Sequence, residues 1–158
     1  MLLTLRLVII MTPTPFLSTL RELATTYQAF EAYSAVHIHT LDLTPAQFDI
    51  IATLGNTPGM PFKELGEKTL ITKGTLTGVV DRLTDKKLVQ RVASPSDGRS
   101  QTVQLTQQGV ALFGRIFPDH LAHLQRAFAE LSPDELVTLE KSLRHLREAL
   151  VSASSRIK

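Results

Sequence analysis

Between Phe62 and Thr106 the hydrophobic period of the chain changes in a way few folds accommodate. Leu76, Val79, Val80 and Leu83 recur at helical spacing and mark the buried side of a helix beginning at Thr72. Thr72 suits the N-cap, where its hydroxyl is expected to satisfy one of the orphan N–H groups of the first turn. A shorter helix, carrying Leu65-Gly66-Glu67 and beginning at Pro61 or Phe62, precedes it at a steep angle. Gly66 leaves room for the two helices to approach closely. Leu88 to Ser94 and Gln101 to Thr106 then read as two strands. The turn between them, Pro95-Ser96-Asp97-Gly98-Arg99-Ser100, holds the Pro, Asp and Gly of tight turns.

The outward side of the second helix carries Lys73, Gly74, Thr77, Gly78 and Asp81. It is small, polar and nearly free of bulk, as a helix entering a DNA major groove must be. Helix, turn, helix and basic-tipped hairpin together predict a winged helix-turn-helix. The fold class expected is mainly α with a small β-wing, framed by long N- and C-terminal helices.

Several stretches resemble the MarR family of bacterial transcription regulators. They are Leu65-Gly66-Glu67, Asp81-Arg82-Leu83, Asp85 to Arg91, the turn Asp97-Gly98-Arg99, and Leu105-Thr106-Gln107-Gln108-Gly109. The Asp-x-Arg of the wing followed by Leu-Thr-x-x-Gly is the sharpest part, and the likeness extends more weakly over residues 16–151. The resemblance implies a DNA-binding regulator, a homodimer, and control by a small ligand. Some members sense peroxides through Cys, and this chain has no Cys. The same absence excludes a disulfide framework, a zinc ribbon and a thiol redox switch.

A length of 158 residues fits one domain, or a small domain with dimerising arms. The net charge of +2 is spread unevenly. Lys73, Arg82, Lys86, Lys87, Arg91 and Arg99 face only Asp81, Asp85 and Asp97 between residues 73 and 99. The first 61 residues hold Arg6 and Arg21 against Glu22, Glu31, Asp42 and Asp49. Cations gathered at the hairpin and helix suit a polyanion partner, although a solvated face produces the same pattern.

The flanks are amphipathic helices. Residues 16–40 carry an apolar stripe that includes Leu17, Leu20, Leu23, Tyr27 and Phe30. Thr44-Pro45-Ala46-Gln47 predicts the start of a second helix with a capping box, and Gly55-Asn56-Thr57-Pro58-Gly59 its end. Residues 107–130 read as one long helix, with Pro118 expected to kink it. Ser132-Pro133-Asp134-Glu135 predicts a second capping box. Leu136, Leu139, Leu143, Leu146 and Leu150 follow at spacings of three and four, a heptad seam. Such apolar surface is hidden either in a homodimer, with Leu17 and Leu20 joining the seam, or in an intramolecular helix hairpin. The domain plan is therefore a lobe of residues 44–106 between dimerisation helices at 16–43 and 107–158, with residues 1–15 as an extension. That extension is apolar but too short to span a bilayer, Arg6 interrupts it, and no signal-peptide cleavage site follows. Met11-Thr12-Pro13 reads as an alternative start of translation; otherwise the extension is expected to pack on the dimer.

The DNA contacts expected are Thr72, Lys73, Gly74, Thr75, Thr77, Gly78, Arg82, Asp97 and Arg99. Lys73 reaches a guanine edge or a phosphate, and Thr75 and Thr77 hydrogen-bond either while offering a methyl to thymine. Gly74 and Gly78 each cost about 1 kcal/mol of helix propensity relative to Ala. They mark either close approach of a partner to the backbone or simple tolerance of glycine. Arg82 holds a phosphate or pairs with Asp85. The resemblance places Arg99 in the minor groove, where a narrow groove concentrates negative potential. Asp97 orients it or caps the turn. Lys86, Lys87 and Arg91 rank lower, as phosphate or strand-surface groups.

The resemblance also implies an effector site for a phenol or aromatic acid. Its candidate lining is Tyr27, Phe30, Tyr33, His37 and His39 from the first helix with Phe113, Ile116 and Phe117 from the fifth, although ordinary core aromatics and surface histidines read the same way. A narrower alternative is a zinc-responsive regulator, because His120 and His123 share a helix face beside Asp119. A winged helix that binds protein instead of DNA is a further alternative. No phosphate loop, nucleophile elbow or zinc-protease helix occurs, so an enzyme is not expected. No cofactor and no resident metal are expected, and the location implied is cytoplasmic, on the nucleoid.

Overall fold

The computed structural model describes residues 16–69, 71–93 and 101–156, apart from the Lys73 side chain. The extension at residues 1–15, the wing turn with Asp97 and Arg99, and the start proposed at Met11 lie outside the described residues. The chain divides into two compact units between Pro45 and Ala46. The first contributes helix α1 (Phe16–His39). Within it Ser34 and Ile38 are buried, whereas Phe16, Leu17, Leu20, Tyr27, Phe30 and Val36 are exposed.

After α1 the chain runs α2 (Pro45–Leu54), whose first residue ends the first unit, then β1 (Met60–Pro61), α3 (Phe62–Lys68), α4 (Lys73–Asp85), β2 (Val89–Ala93), β3 (Gln101–Leu105), α5 (Gln107–Phe128) and α6 (Pro133–Ser155) in the second. The order matches the sequence expectation for a winged helix-turn-helix, with one addition. Met60 and Pro61 form a short strand pairing antiparallel with Val103 and Thr102, so the wing sheet has three strands in the order β1-β3-β2. Two residues are too few to show a period, and Pro61 reads as a helix start. The main hairpin pairs Val89 with Leu105, Arg91 with Val103 and Ala93 with Gln101.

The core gathers Ile50, Ile51 and Leu54 of α2, Leu65 of α3, Leu76, Val79, Val80 and Leu83 of α4, and Val89 and Val103 of the wing. All are essentially inaccessible to water, and the expected inward stripe of α4 is fully buried. Gly66 behaves as its place in the motif requires. A Cβ built there would lie 3.2 Å from Leu76 Cδ2, so α3 and α4 touch across a hydrogen atom.

The Leu-Thr-x-x-Gly stretch acquires a physical role. Thr106 is the N-cap of α5, its Oγ1 accepting from the Gly109 N–H at 3.0 Å. The same hydroxyl donates to the Lys87 carbonyl at 2.6 Å. Gly109 then passes so close to the α4–β2 connection that a Cβ would sit 2.0 Å from the Leu88 carbonyl oxygen. The start of α5 is thereby tied to the end of α4. Gly59, at φ +97°, turns the chain into β1, and a Cβ there would meet the Val103 carbonyl at 2.7 Å.

Helix α5 runs unbroken as a helix from Gln107 to Phe128 with Pro118 inside it. In α6 the expected capping box is complete. Ser132 Oγ accepts from Glu135 N–H at 3.3 Å, and Glu135 Oε2 accepts from the Ser132 N–H at 2.8 Å. No residue of α6 is buried. Leu139, Leu143 and Leu150 are exposed, while Leu136 and Leu146 are half-buried. No described helix is long and apolar enough to cross a membrane.

Candidate nucleic-acid interface

Helix α4 presents two unlike sides because its apolar residues recur at helical spacing and its other positions are short. With Leu76, Val79, Val80 and Leu83 turned inward, Gly74, Thr75, Thr77, Asp81 and Arg82 are exposed and Gly78 is half-exposed. A Cβ at Gly74 would meet nothing within 4 Å. At Gly78 its nearest neighbour would be Arg82 Nη1 at 3.9 Å, so Arg82 lies back along the helix over the glycine. Nothing in the fold demands either glycine, and together they leave an open strip of backbone.

Two expectations at this helix are corrected. Thr72 does occupy the N-cap position, but its side chain makes no cap hydrogen bond. Its hydroxyl sits 3.1 Å from Thr75 Oγ1 instead, so the two hydroxyls satisfy each other on the surface. The first turn is closed by the Thr72 carbonyl, which accepts from the Thr75 and Leu76 N–H groups at 2.9 and 3.0 Å. Arg82 does not pair with Asp85. The acid that finds a cation is Asp81, one residue earlier, and its partner comes from the wing.

Arg91 Nη2 donates to Asp81 Oδ1 at 2.6 Å. Side chains two apart on a strand share a face, so Arg91 points to the side on which Val89 is buried. There its guanidinium also lies 5.7 Å from the ring centroid of Phe62, the first residue of α3. One side chain of β2 thus touches both helices of the pair. In the sequence Arg91 reads as a phosphate or strand-surface group, because nothing in a linear chain connects it with Asp81, ten residues away.

The remaining candidates fall into separate places. Phe113 and Ile116 are buried in the second unit, and Phe113 stacks on Phe117 at 4.9 Å. Phe113 also covers Gly55, where a Cβ would lie 2.3 Å from its ring. In α1, Tyr27 is exposed and donates to Glu31 Oε1 at 2.9 Å; Phe30 and His39 are exposed, and Tyr33 and His37 are half-buried. His120 is buried against Phe48 at 4.4 Å, with His123 at 6.2 Å. No group of three His, Cys, Asp or Glu placed to hold a metal occurs among the described residues.

Residues 41–100 match the model of the MarR family. The HTH-type transcriptional regulator MhqR of Bacillus subtilis is 33% identical over 124 residues, covering 78% of this chain and 86% of that protein. A MarR mutant from E. coli, solved with operator DNA, is 26% identical with a TM-score of 0.74, covering 84% of this chain and 95% of the other. The regulator BpsR of Bordetella bronchiseptica, whose DNA binding is regulated by 6-hydroxynicotinic acid, is 29% identical with a TM-score of 0.73, covering 82% and 98%. None of this supports the zinc alternative, and the relatives are regulators, not enzymes. The signature stretches, the winged fold and the relatives agree: this chain belongs to the MarR family of DNA-binding transcriptional regulators.

Proposed function

We propose that the protein is a repressor that binds a pseudo-palindromic operator as a homodimer and releases it when a small aromatic or phenolic acid binds. The observation that carries the DNA half of this reading is the exposed side of α4. Gly74, Thr75, Thr77, Gly78 and Arg82 form a strip of short and hydrogen-bonding groups backed by a fully buried stripe. Such a strip admits base edges without steric cost, and its hydroxyls and guanidinium discriminate among them. Thr72 and Lys73 begin the same helix. Asp97 and Arg99 belong to the sequence between β2 and β3, and Arg99 is assigned to the adjacent minor groove.

The homodimer is supported by the apolar residues left in water by a single chain. Leu143 is 49% exposed and Leu150 55% exposed on α6, and Leu17 and Leu20 are similarly bare on α1. Large apolar residues exposed on each of two amphipathic helices are what an interface would cover, and no described helix is long and apolar enough to cross a membrane. A two-fold dimer requires a two-fold operator, with half-site centres about 10 bp apart or a small multiple of that. This plan assigns residues 44–106 to DNA and residues 16–43 and 107–158 to the dimer.

The effector half rests on kinship. BpsR responds to an aromatic acid, and a further relative, 27% identical over 111 residues, is the homoprotocatechuate degradative operon repressor of Escherichia coli. In this chain Tyr27, Phe30, Tyr33, His37, His39, Phe113, Ile116 and Phe117 are the groups proposed to receive such a ligand. Selection of bound sequences from a random duplex pool tests the core of the reading. A two-fold symmetric consensus is expected; recovery of no consensus would refute it.

A further inference from the structure

We propose that Asp81 and Arg91 form a clamp that sets the wing against α4, which makes Arg91 a positioning residue for DNA reading and not a phosphate contact. The inference rests on the assignment of α4 and the wing to DNA, and adds to it what holds the two reading elements in register.

The geometry is specific. Arg91 Nη2 and Asp81 Oδ1 are 2.6 Å apart, a short charge-assisted hydrogen bond. The Arg91 side chain is only 30% exposed, and its guanidinium lies 5.7 Å from the ring centroid of Phe62, within cation–π range. A planar guanidinium can stack on a ring and pair with a carboxylate at once, which an ammonium cannot do equally well. Arg91 therefore joins α3, α4 and β2 through one side chain. Opposite it on β3 stands Val103, which is buried and which also pairs with Met60 of β1. The clamp lies at the middle of β2, an edge strand of the three-stranded sheet and one of the two strands that bracket residues 94–100.

Asp81 is otherwise hard to explain. It stands on the outward side of α4, where a carboxylate repels phosphate. Neutralising Arg91 there removes a cation from the DNA-binding surface, so the pair is unfavourable for attraction at long range. Its gain is geometric: the angle between wing and helix is fixed before DNA arrives, and less ordering remains to be done on binding.

Charge and geometry predict opposite signs for one variant. Asp81→Asn removes a negative charge and leaves Arg91 without its carboxylate. If the pair served only as surface charge, operator affinity would rise. The clamp predicts that it falls, on the order of tenfold, while affinity for a scrambled duplex is unchanged or higher. Arg91→Lys should weaken operator binding similarly, because it keeps the charge and loses the planar fork that reaches Asp81. In Arg91→Ala the salt slope of log K should match wild type, whereas loss of a phosphate contact lowers the slope by about 1. In an Arg99→Ala background the effect of Arg91→Ala should largely vanish, since a wing that makes no contact gains nothing from alignment.

The experiment is an anisotropy titration of the selected operator and its scrambled control over a salt series, with circular dichroism confirming that each variant is folded. Weaker operator binding by Asp81→Asn with an unchanged slope in Arg91→Ala supports the clamp. Tighter binding by Asp81→Asn, or a slope reduced by about 1 in Arg91→Ala, overturns the clamp alone. A wild-type protein that does not distinguish the two duplexes overturns the DNA assignment, and the clamp with it.

Discussion

The hydroxyl of Thr106 donates to the carbonyl of Lys87 at 2.6 Å and accepts from the N–H of Gly109 at 3.0 Å. Lys87 and Thr106, nineteen positions apart in the chain, are joined through this one oxygen. It caps the helix that follows the wing and holds the turn that precedes it, where Lys87 has a positive φ of 58°.

Thr106→Ala should therefore lower stability by more than an isolated cap. Loss of an N-cap costs about 1 kcal/mol, up to about 2, and the Lys87 carbonyl loses its side-chain donor as well. Thr106→Ser should recover most of the loss. Urea unfolding with an unchanged m-value checks both; equal stability of Thr106→Ala and wild type would reject the role given to the hydroxyl.

Gly109→Ala is expected to be worse. A methyl group 2.0 Å from the Leu88 carbonyl oxygen cannot be relieved by a side-chain rotation, because its neighbour is backbone. Gly74→Ala is the control: it meets nothing within 4 Å and gains about 1 kcal/mol of helix propensity. Thermal melts should place Gly109→Ala below wild type and Gly74→Ala at or above it. Reversal of that order would contradict the packing described.

Glu135 carries a pH signature. Hydrogen bonds from the Ser132 hydroxyl and then from the Ser132 backbone hold its carboxyl below the ordinary glutamate range. A depressed folded value means that the carboxylate stabilises the protein above the unfolded value, and that this contribution is lost as pH falls through the folded value. Unfolding measured from neutral pH downward should show Glu135→Gln less stable than wild type near pH 7, with the two curves converging under acid. A gap that stays constant into acid would show that the charge of the capping box is irrelevant.

Leu143→Glu addresses assembly. Leu143 is half-exposed in one chain yet stands in the middle of the heptad seam. A buried carboxylate between two copies is strongly unfavourable, so the variant should sediment with the mass of one chain where wild type has the mass of two. Wild type sedimenting as a single chain would remove the homodimer from the account.

The extent to which all this was legible in the sequence follows from range. Helix periodicity is local, so the buried stripe of α4, the start of α2 at Pro45 and the Ser132–Glu135 box were all readable from neighbouring residues. The Leu-Thr-x-x-Gly stretch was visible as a signature, but its reason was not, because Leu88 lies far from Gly109 along the chain. Asp81 and Arg91 show the same limit. Each reads as a surface charge until β2 folds against α4 and brings them within 2.6 Å. Thr72 differs: the N-cap position is legible locally, but the nearby hydroxyl of Thr75 competes for the side chain. β1 is not legible in the sequence, because pairing across the sheet, and not any period of its own, makes Met60 and Pro61 a strand.

The most direct test of the central claim is operator affinity of wild type and Arg99→Ala, measured by fluorescence anisotropy against a scrambled duplex at several salt concentrations. The account predicts that wild type binds the symmetric site far more tightly than the control, with a steep negative salt slope, and that Arg99→Ala loses most of that preference. Equal binding of both duplexes by wild type, or an operator affinity untouched in Arg99→Ala, would contradict it.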